Sequence, residues 1–222
     1  MKYLQEVIPE NSRILDCCAG TGIYAFALAK QHRVVAGDLS EKHIAQMKEL
    51  QKNAPQLEEI HWLDARHMGI FEDESFDVVL CMGALYHLFS YEDRMNAIRE
   101  CVRLCKKGGI LVFAYLNKWG NFYNGMINNL KPMDLLYREF DSGSHEDIFF
   151  RTTAEEVNAM CQALNLICLR NIGVDHLAFL SSERIDAMSD EEYAHLLDYQ
   201  LKATQEPNIA GASLHGLWIG RK

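Results

Sequence analysis

Arg13-Ile14-Leu15-Asp16-Cys17-Cys18-Ala19-Gly20-Thr21-Gly22 decides how this chain reads. Two apolar residues, Ile14 and Leu15, run into an acid, Asp16. A turn of small residues follows, and a helical pattern begins at Ile23 and lasts to Lys30. Strand, tight loop and helix in that order make the local geometry of a nucleotide-type pocket. Gly20 and Gly22 allow a sharp turn and a close approach to a ligand, with no Cβ in the way. The following helix points its free N–H groups at the same spot. The acid at the strand tip sets the charge preference. A pyrophosphate gains nothing from a carboxylate there, whereas a cationic ligand does.

Composition narrows the classes around that pocket. The chain has 222 residues, 49% of them hydrophobic, which suits one well-filled domain carrying insertions. Its charge is −9, from 31 acids against 22 bases, and its densest basic pair is Lys106-Lys107. A nucleic-acid partner is therefore not expected. Residues Met1 to Glu6 hold no apolar signal core, and no window nears ~18 uninterrupted apolar residues. No membrane span is expected, and the placement is cytoplasmic, as a monomer or homodimer. Seven cysteines occur without any Cys-x-x-Cys pair: Cys17 and Cys18 are adjacent, and Cys101 and Cys105 are four apart. That pattern points to reduced thiols packed as small apolar groups, with neither a disulfide framework nor a metal site.

Strand and helix patterns alternate along the chain. Strands are expected at Ile14–Cys17, Arg33–Asp38, Ile60–Leu63, Phe76–Met82, Ile110–Leu116, Leu166–Ile172 and His215–Gly220. Ser40 caps a helix reaching Lys52, with Ile44, Met47 and Leu50 on one face. Glu92–Cys105 is a second helix, closed by Lys106, Lys107 and the glycines 108 and 109. Thr153 and Glu156 form a capping box for another. The alternation predicts an α/β fold, a mostly parallel seven-stranded sheet with helices on both faces. Two stretches, about 117–151 and 174–212, are too long for simple connections. They read as helical and loop covers over the C-terminal edge of the sheet, within a single domain 1–222. Trp119, Phe122 and Tyr123 would furnish a lid, and Asp190–Leu201 after Ser189 a helix. His145, Arg151 and His176 are polar candidates inside these covers.

Three acids end three different strands: Asp16, Asp38 and Asp64. Asp38 lies 16 residues past Gly22, where a carboxylate can accept both hydroxyls of a ribose. The opening stretch resembles the first motif of S-adenosylmethionine-dependent methyltransferases of the Rossmann-like class, acid-x-Gly-x-Gly-x-Gly. Gly20 and Gly22 match its last two glycines, and Cys18 stands in place of the first. The segment Gly83-Ala84-Leu85-Tyr86-His87-Leu88 resembles one that follows the fourth strand in the small-molecule members. The resemblance covers Met1 to about Leu116.

The resemblance implies S-adenosylmethionine as cofactor. It also implies a cofactor site made by Asp16, Ala19, Gly20, Gly22, Asp38, Leu39, Asp64, Ala65 and Met82. Asp64 would meet the adenine amino group, Ala65 would donate its backbone N–H to the ring, and Met82 would offer its carbonyl. Tyr86 and His87 are the catalytic candidates near the sulfonium, with His87 suited to general-base work. The function expected is in-line methyl transfer to a small-molecule acceptor. Two alternatives stand beside it. One is a nicotinamide-dependent oxidoreductase, because Gly20-x-Gly22-x-x-Ala25 also fits the dinucleotide fingerprint. That reading lacks a Tyr-x-x-x-Lys pair, since Ser90 stands four residues after Tyr86. The other is a non-catalytic module that binds S-adenosylmethionine.

Overall fold

The computed structural model describes residues 1–144, 148–175, 182–204, 206 and 210–222. The chain forms two compact units. The first holds Met1–Phe113, Met160–Leu169 and Ile219–Lys222, and the second holds Ala114–Ala159 and Arg170–Trp218.

In the first unit, a short helix α1 (Lys2–Val7) precedes β1 (Arg13–Asp16), α2 (Ile23–Leu28), β2 (Arg33–Asp38), α3 (Glu41–Leu50), β3 (Glu59–Trp62), β4 (Phe76–Cys81) and α4 (Tyr91–Leu104). The strands β5 (Cys105–Asn117), β7 (Ile167–Gly173) and β8 (His215–Arg221), each with residues in both units, complete a sheet of order β3-β2-β1-β4-β5-β8-β7. Strands β1 to β5 are parallel, with Asp16 level with Ala36 on one side and Leu80 on the other. Gly108 donates to Lys222 and Asn117 to Leu214, so β8 runs antiparallel to β5. Ile14, Leu15, Val34, Val35, Val78, Val79 and Leu111 have no exposed surface, as expected for a sheet covered on both faces. Each such side chain contributes about 1.5–3 kcal/mol over its exposed state.

The caps follow the sequence. The Ser40 hydroxyl accepts the His43 amide, and Ser90 accepts that of Asp93. The boundary between α4 and β5 differs from expectation. Helix α4 stops at Leu104, and Cys105 already belongs to β5, level with Phe76. Lys106 reaches Asp77 at 2.7 Å and so sits beside β4. It was expected at the end of the helix.

In the second unit, the stretch 117–151 holds two helices, α5 (Lys118–Ile127) and α6 (Met133–Ser142), and the two-residue strand β6 (Arg151–Thr152). Gly125 lets them close up: a Cβ there would stand 2.5 Å from Leu136 Cδ2. Trp119 packs on Phe140 with centroids 4.4 Å apart, and Phe122 stacks on Tyr137. These aromatics knit α5 to α6. Arg151 pairs with Glu139 at 2.5 Å, and both are largely buried, so Arg151 serves the packing of α6. His145 and His176 lie outside the described residues. Helix α7 (Ala154–Gln162) starts at the Thr153–Glu156 capping box, and α9 (Asp190–Ala203) at a second one on Ser189. A short α8 (Ser182–Asp186) precedes it.

Candidate functional site

A cavity of about 980 Å³ opens at the C-terminal ends of β1, β2 and β4. That is ample for a nucleoside with a side chain attached. Among the residues named from sequence, Asp16, Ala19, Gly20, Asp38, Leu39, Asp64, Ala65, Met82, Tyr86 and His87 all line it. Gly22 does not. It turns the chain behind the wall at φ 88°, where a Cβ would strike the Phe26 ring at 2.7 Å. Gly20, at φ 57°, has open space where a Cβ would project, so a ligand can lie directly against this backbone.

Asp16 is buried, and neither carboxylate oxygen has a hydrogen-bond partner among the described residues. Burial, then the nearby Cys81 and Asp38, raise its pKa to about 7. An unpaired buried carboxylate is costly, and a cation in the cavity would relieve it. Asp38 is tied to the loop. Its Oδ2 accepts the Gly20 amide at 2.8 Å, and its Oδ1 accepts Ser40 N–H at 2.9 Å with His43 Nδ1 at 3.0 Å. Oδ2 keeps room for a further donor.

Asp64 carries a partner that sequence reasoning missed. Arg66 grips it with Nη2–Oδ2 at 2.7 Å and Nε–Oδ1 at 3.0 Å, holding the Asp64 pKa below the usual value. Arg66 also stands 3.4 Å from Asp93 of α4. The Tyr86 hydroxyl donates to the Met82 carbonyl at 3.1 Å, and its ring lies 4.9 Å from that of His87. Burial raises the Tyr86 pKa, so its proton stays on at neutral pH. His87 sits exposed in a turn, its amide bonded to Ala84.

The cysteines also differ from expectation. Sequence spacing showed no cluster, yet the Sγ atoms of Cys17, Cys81 and Cys101 lie within 4.8 Å of one another. They come from the end of β1, the end of β4 and helix α4, so only the topology brings them together.

The methyltransferase domain family matches residues 15–113, the stretch that holds the whole cavity. Residues 15–113 carry a methyltransferase domain. A ubiquinone biosynthesis O-methyltransferase of Hydrogenovibrio crunogenus is 27% identical over 205 residues, covering 91% of this chain and 80% of the relative. One from Paracidovorax citrulli is 28% identical over 173 residues, covering 75% and 68%. A methyltransferase structure from Methanosarcina mazei superposes with a TM-score of 0.69 at 16% identity, over 100% of this chain and 97% of the other. A methyltransferase reading also fits the three strand-tip acids, of which an oxidoreductase has use only for Asp38. No helix of the described residues is long and apolar enough to cross a membrane.

Proposed function

We propose that this methyltransferase moves the methyl group of S-adenosylmethionine to a hydroxyl oxygen of a small molecule in the cytoplasm. The observation that carries the reading is Asp16, a buried carboxylate with both oxygens unpartnered on the cavity wall. Open space over Gly20 supports it, since the methionine part of the cofactor can lie on that loop. The hydroxyl acceptor is supported by the two bacterial relatives, both named as O-methyltransferases. Seven unpaired cysteines fit a reducing compartment.

S-adenosylmethionine supplies a methyl group already activated on a sulfonium. In this reading the protein's own residues bind, orient and exclude water. Asp16 faces the cationic end. Asp38 Oδ2 takes one ribose hydroxyl, and His43 yields Oδ1 to the other. Leu39 covers a face of the adenine, whose edge meets Asp64 and the Ala65 amide. Tyr86 holds the Met82 carbonyl in place beside the transfer. His87, at the mouth, receives the proton that the acceptor hydroxyl gives up.

Calorimetry with S-adenosylmethionine and S-adenosylhomocysteine, followed by transfer of labelled methyl to pools of hydroxylated metabolites, tests this. Binding with turnover is expected. Binding without turnover on any pool would leave a non-catalytic module, and tight nicotinamide nucleotide binding would overturn the reading altogether.

A further inference from the structure

Four of the seven cysteines form a chain of thiols from the cavity wall into the core. Cys18 lines the cavity and is half-buried. Its Sγ lies 3.7 Å from Cys81 Sγ and 3.7 Å from Cys17 Sγ. Cys17, Cys81 and Cys101 are buried behind it. The approach is built in. The Cys17 amide donates to Leu80 across the β1–β4 pair, and Gly83 packs on Cys18, where a Cβ would stand 3.1 Å from Cys18 Cβ.

Two chemistries suit such a cluster, and physics separates them. A soft metal ion on Cys17, Cys81 and Cys101 needs several thiolates in a dry site that already holds Asp16. Concentrated buried negative charge of that kind is strongly disfavoured. A disulfide carries no charge. Its partners are restricted as well. Neighbouring residues have Cα atoms about 3.8 Å apart, short of the roughly 4.4–6.8 Å a disulfide wants, so Cys17–Cys18 is a poor pair. Cys18 lies in the turn just past β1, on the cavity wall, with its Sγ already 3.7 Å from that of Cys81, which favours Cys18 with Cys81.

We propose that Cys18 and Cys81 are an oxidation site: hydrogen peroxide entering the empty cavity joins them in a reversible disulfide that disables the cofactor loop. Cys18 is the sulfur that peroxide can reach. Cys18 donates to the Cys81 sulfur and passes its proton to it, and the Cys18 thiolate attacks one peroxide oxygen. The O–O bond breaks, the departing hydroxide takes that proton from Cys81 and leaves as water, and Cys18 becomes a sulfenic acid. Cys81 is the resolving thiol. Hydrogen bonds from Cys101, Cys17 and Cys18 lower its pKa, favouring the thiolate. That thiolate attacks the Cys18 sulfur, the S–S bond forms, the S–O bond breaks, and hydroxide leaves to be protonated. In sum, two thiols and one peroxide give a disulfide and two waters. An external dithiol reverses it by exchange. The bond draws Cys18, and with it the loop to Gly22, toward β4.

The test is peroxide treatment of the full chain, with and without S-adenosylhomocysteine. Non-reducing peptide mass spectrometry and calorimetry then read the result. A cross-linked peptide pair containing Cys18 and Cys81 is expected, with two of the seven thiols lost. Cofactor binding should weaken at least tenfold, and dithiothreitol should restore it. Cys101→Ala should still cross-link, and Cys81→Ala should not. The wild-type measurement stands even if a variant fails to fold. No Cys18–Cys81 peptide, or a cross-link that leaves cofactor affinity unchanged, overturns the proposal. Protection by S-adenosylhomocysteine and the loss of cofactor affinity rest on the cofactor reading of the cavity, and the cross-link itself does not. A cross-link without protection supports the oxidation site and counts against that reading.

Discussion

Asp38 holds Gly20: the carboxylate at the tip of β2 accepts the loop amide at 2.8 Å, across 18 residues of chain. One side chain therefore shapes the glycine loop and, in the proposed function, also meets the ribose. Asp38→Ala should weaken S-adenosylhomocysteine binding by roughly 1.5–3 kcal/mol, the range for hydrogen bonds to charged groups. That is about ten- to a hundredfold in dissociation constant. Calorimetry on the folded variant checks it, and an unchanged affinity would remove Asp38 from the site.

Asp16 should set a pH dependence of binding. Its pKa in the empty protein is raised to about 7, and a bound cation must lower it. Affinity for S-adenosylmethionine should then rise with pH from 6 to 8, with release of a proton measurable in buffers of different ionisation enthalpy. The sign for stability is opposite. The folded pKa lies above the model value of 3.8, so this group makes folding less favourable as pH climbs from there through about 7. Asp16→Asn should bind the cationic cofactor more weakly yet melt higher when empty, by about 2–4 °C for each kcal/mol regained. A variant that melts lower and binds equally well would show that the carboxylate holds the loop instead.

His87→Ala should lower turnover on a hydroxyl acceptor by about 10²–10⁴-fold at saturating cofactor, the usual worth of a positioned base. Cofactor affinity should stay nearly constant. Tyr86→Phe removes only the donor to the Met82 carbonyl, so a loss of about three- to tenfold is expected, in line with one neutral hydrogen bond. A near-wild-type rate for His87→Ala would end the base role.

In the second unit, His215 Nδ1 lies 2.5 Å from Asp175 Oδ2, and Asp175 also takes the amides of Leu214 and His215. The hydrogen bond that His215 donates to Asp175 raises the His215 pKa, and hydrogen bonds outweigh burial to lower that of Asp175. The histidine's contribution is complete below its ordinary value and fades as pH rises through the raised one. The aspartate's contribution is complete above its ordinary value and fades as pH falls through the lowered one. His215 is half exposed, so the swing is a small part of the total. Urea unfolding at pH 4, 6 and 8 should show less pH dependence for His215→Ala. Identical profiles would mean that the pair does not contribute.

Much of the cavity wall was legible in advance because strand tips announce themselves. An apolar run that stops at an acid or a glycine marks the edge where ligands sit, and Asp16, Asp38 and Asp64 all obey that rule. The failures have physical causes. Helix α5 was hidden because Gly120 and Gly125 lower helix propensity and the apolar stripe is built from Trp119, Phe122 and Tyr123. Asn117, which caps α5 by accepting the Trp119 amide, was the signal available. Arg66 escaped because nothing local tells which acid a loop arginine takes. The thiol cluster joins positions 17, 18, 81 and 101, and no spacing along a chain reveals that β1 lies beside β4.

Ile23, Leu39 and Phe89 line the cavity while exposing 74%, 54% and 49% of their surface. An occupied pocket would take part of that apolar area out of water. Ligand association should then show a negative heat-capacity change, growing more exothermic between 10 and 35 °C. The same rim gives the empty protein an adhesive edge at high concentration, which its charge of −9 opposes. Raising the salt screens that repulsion, so light scattering should detect self-association of the empty form first.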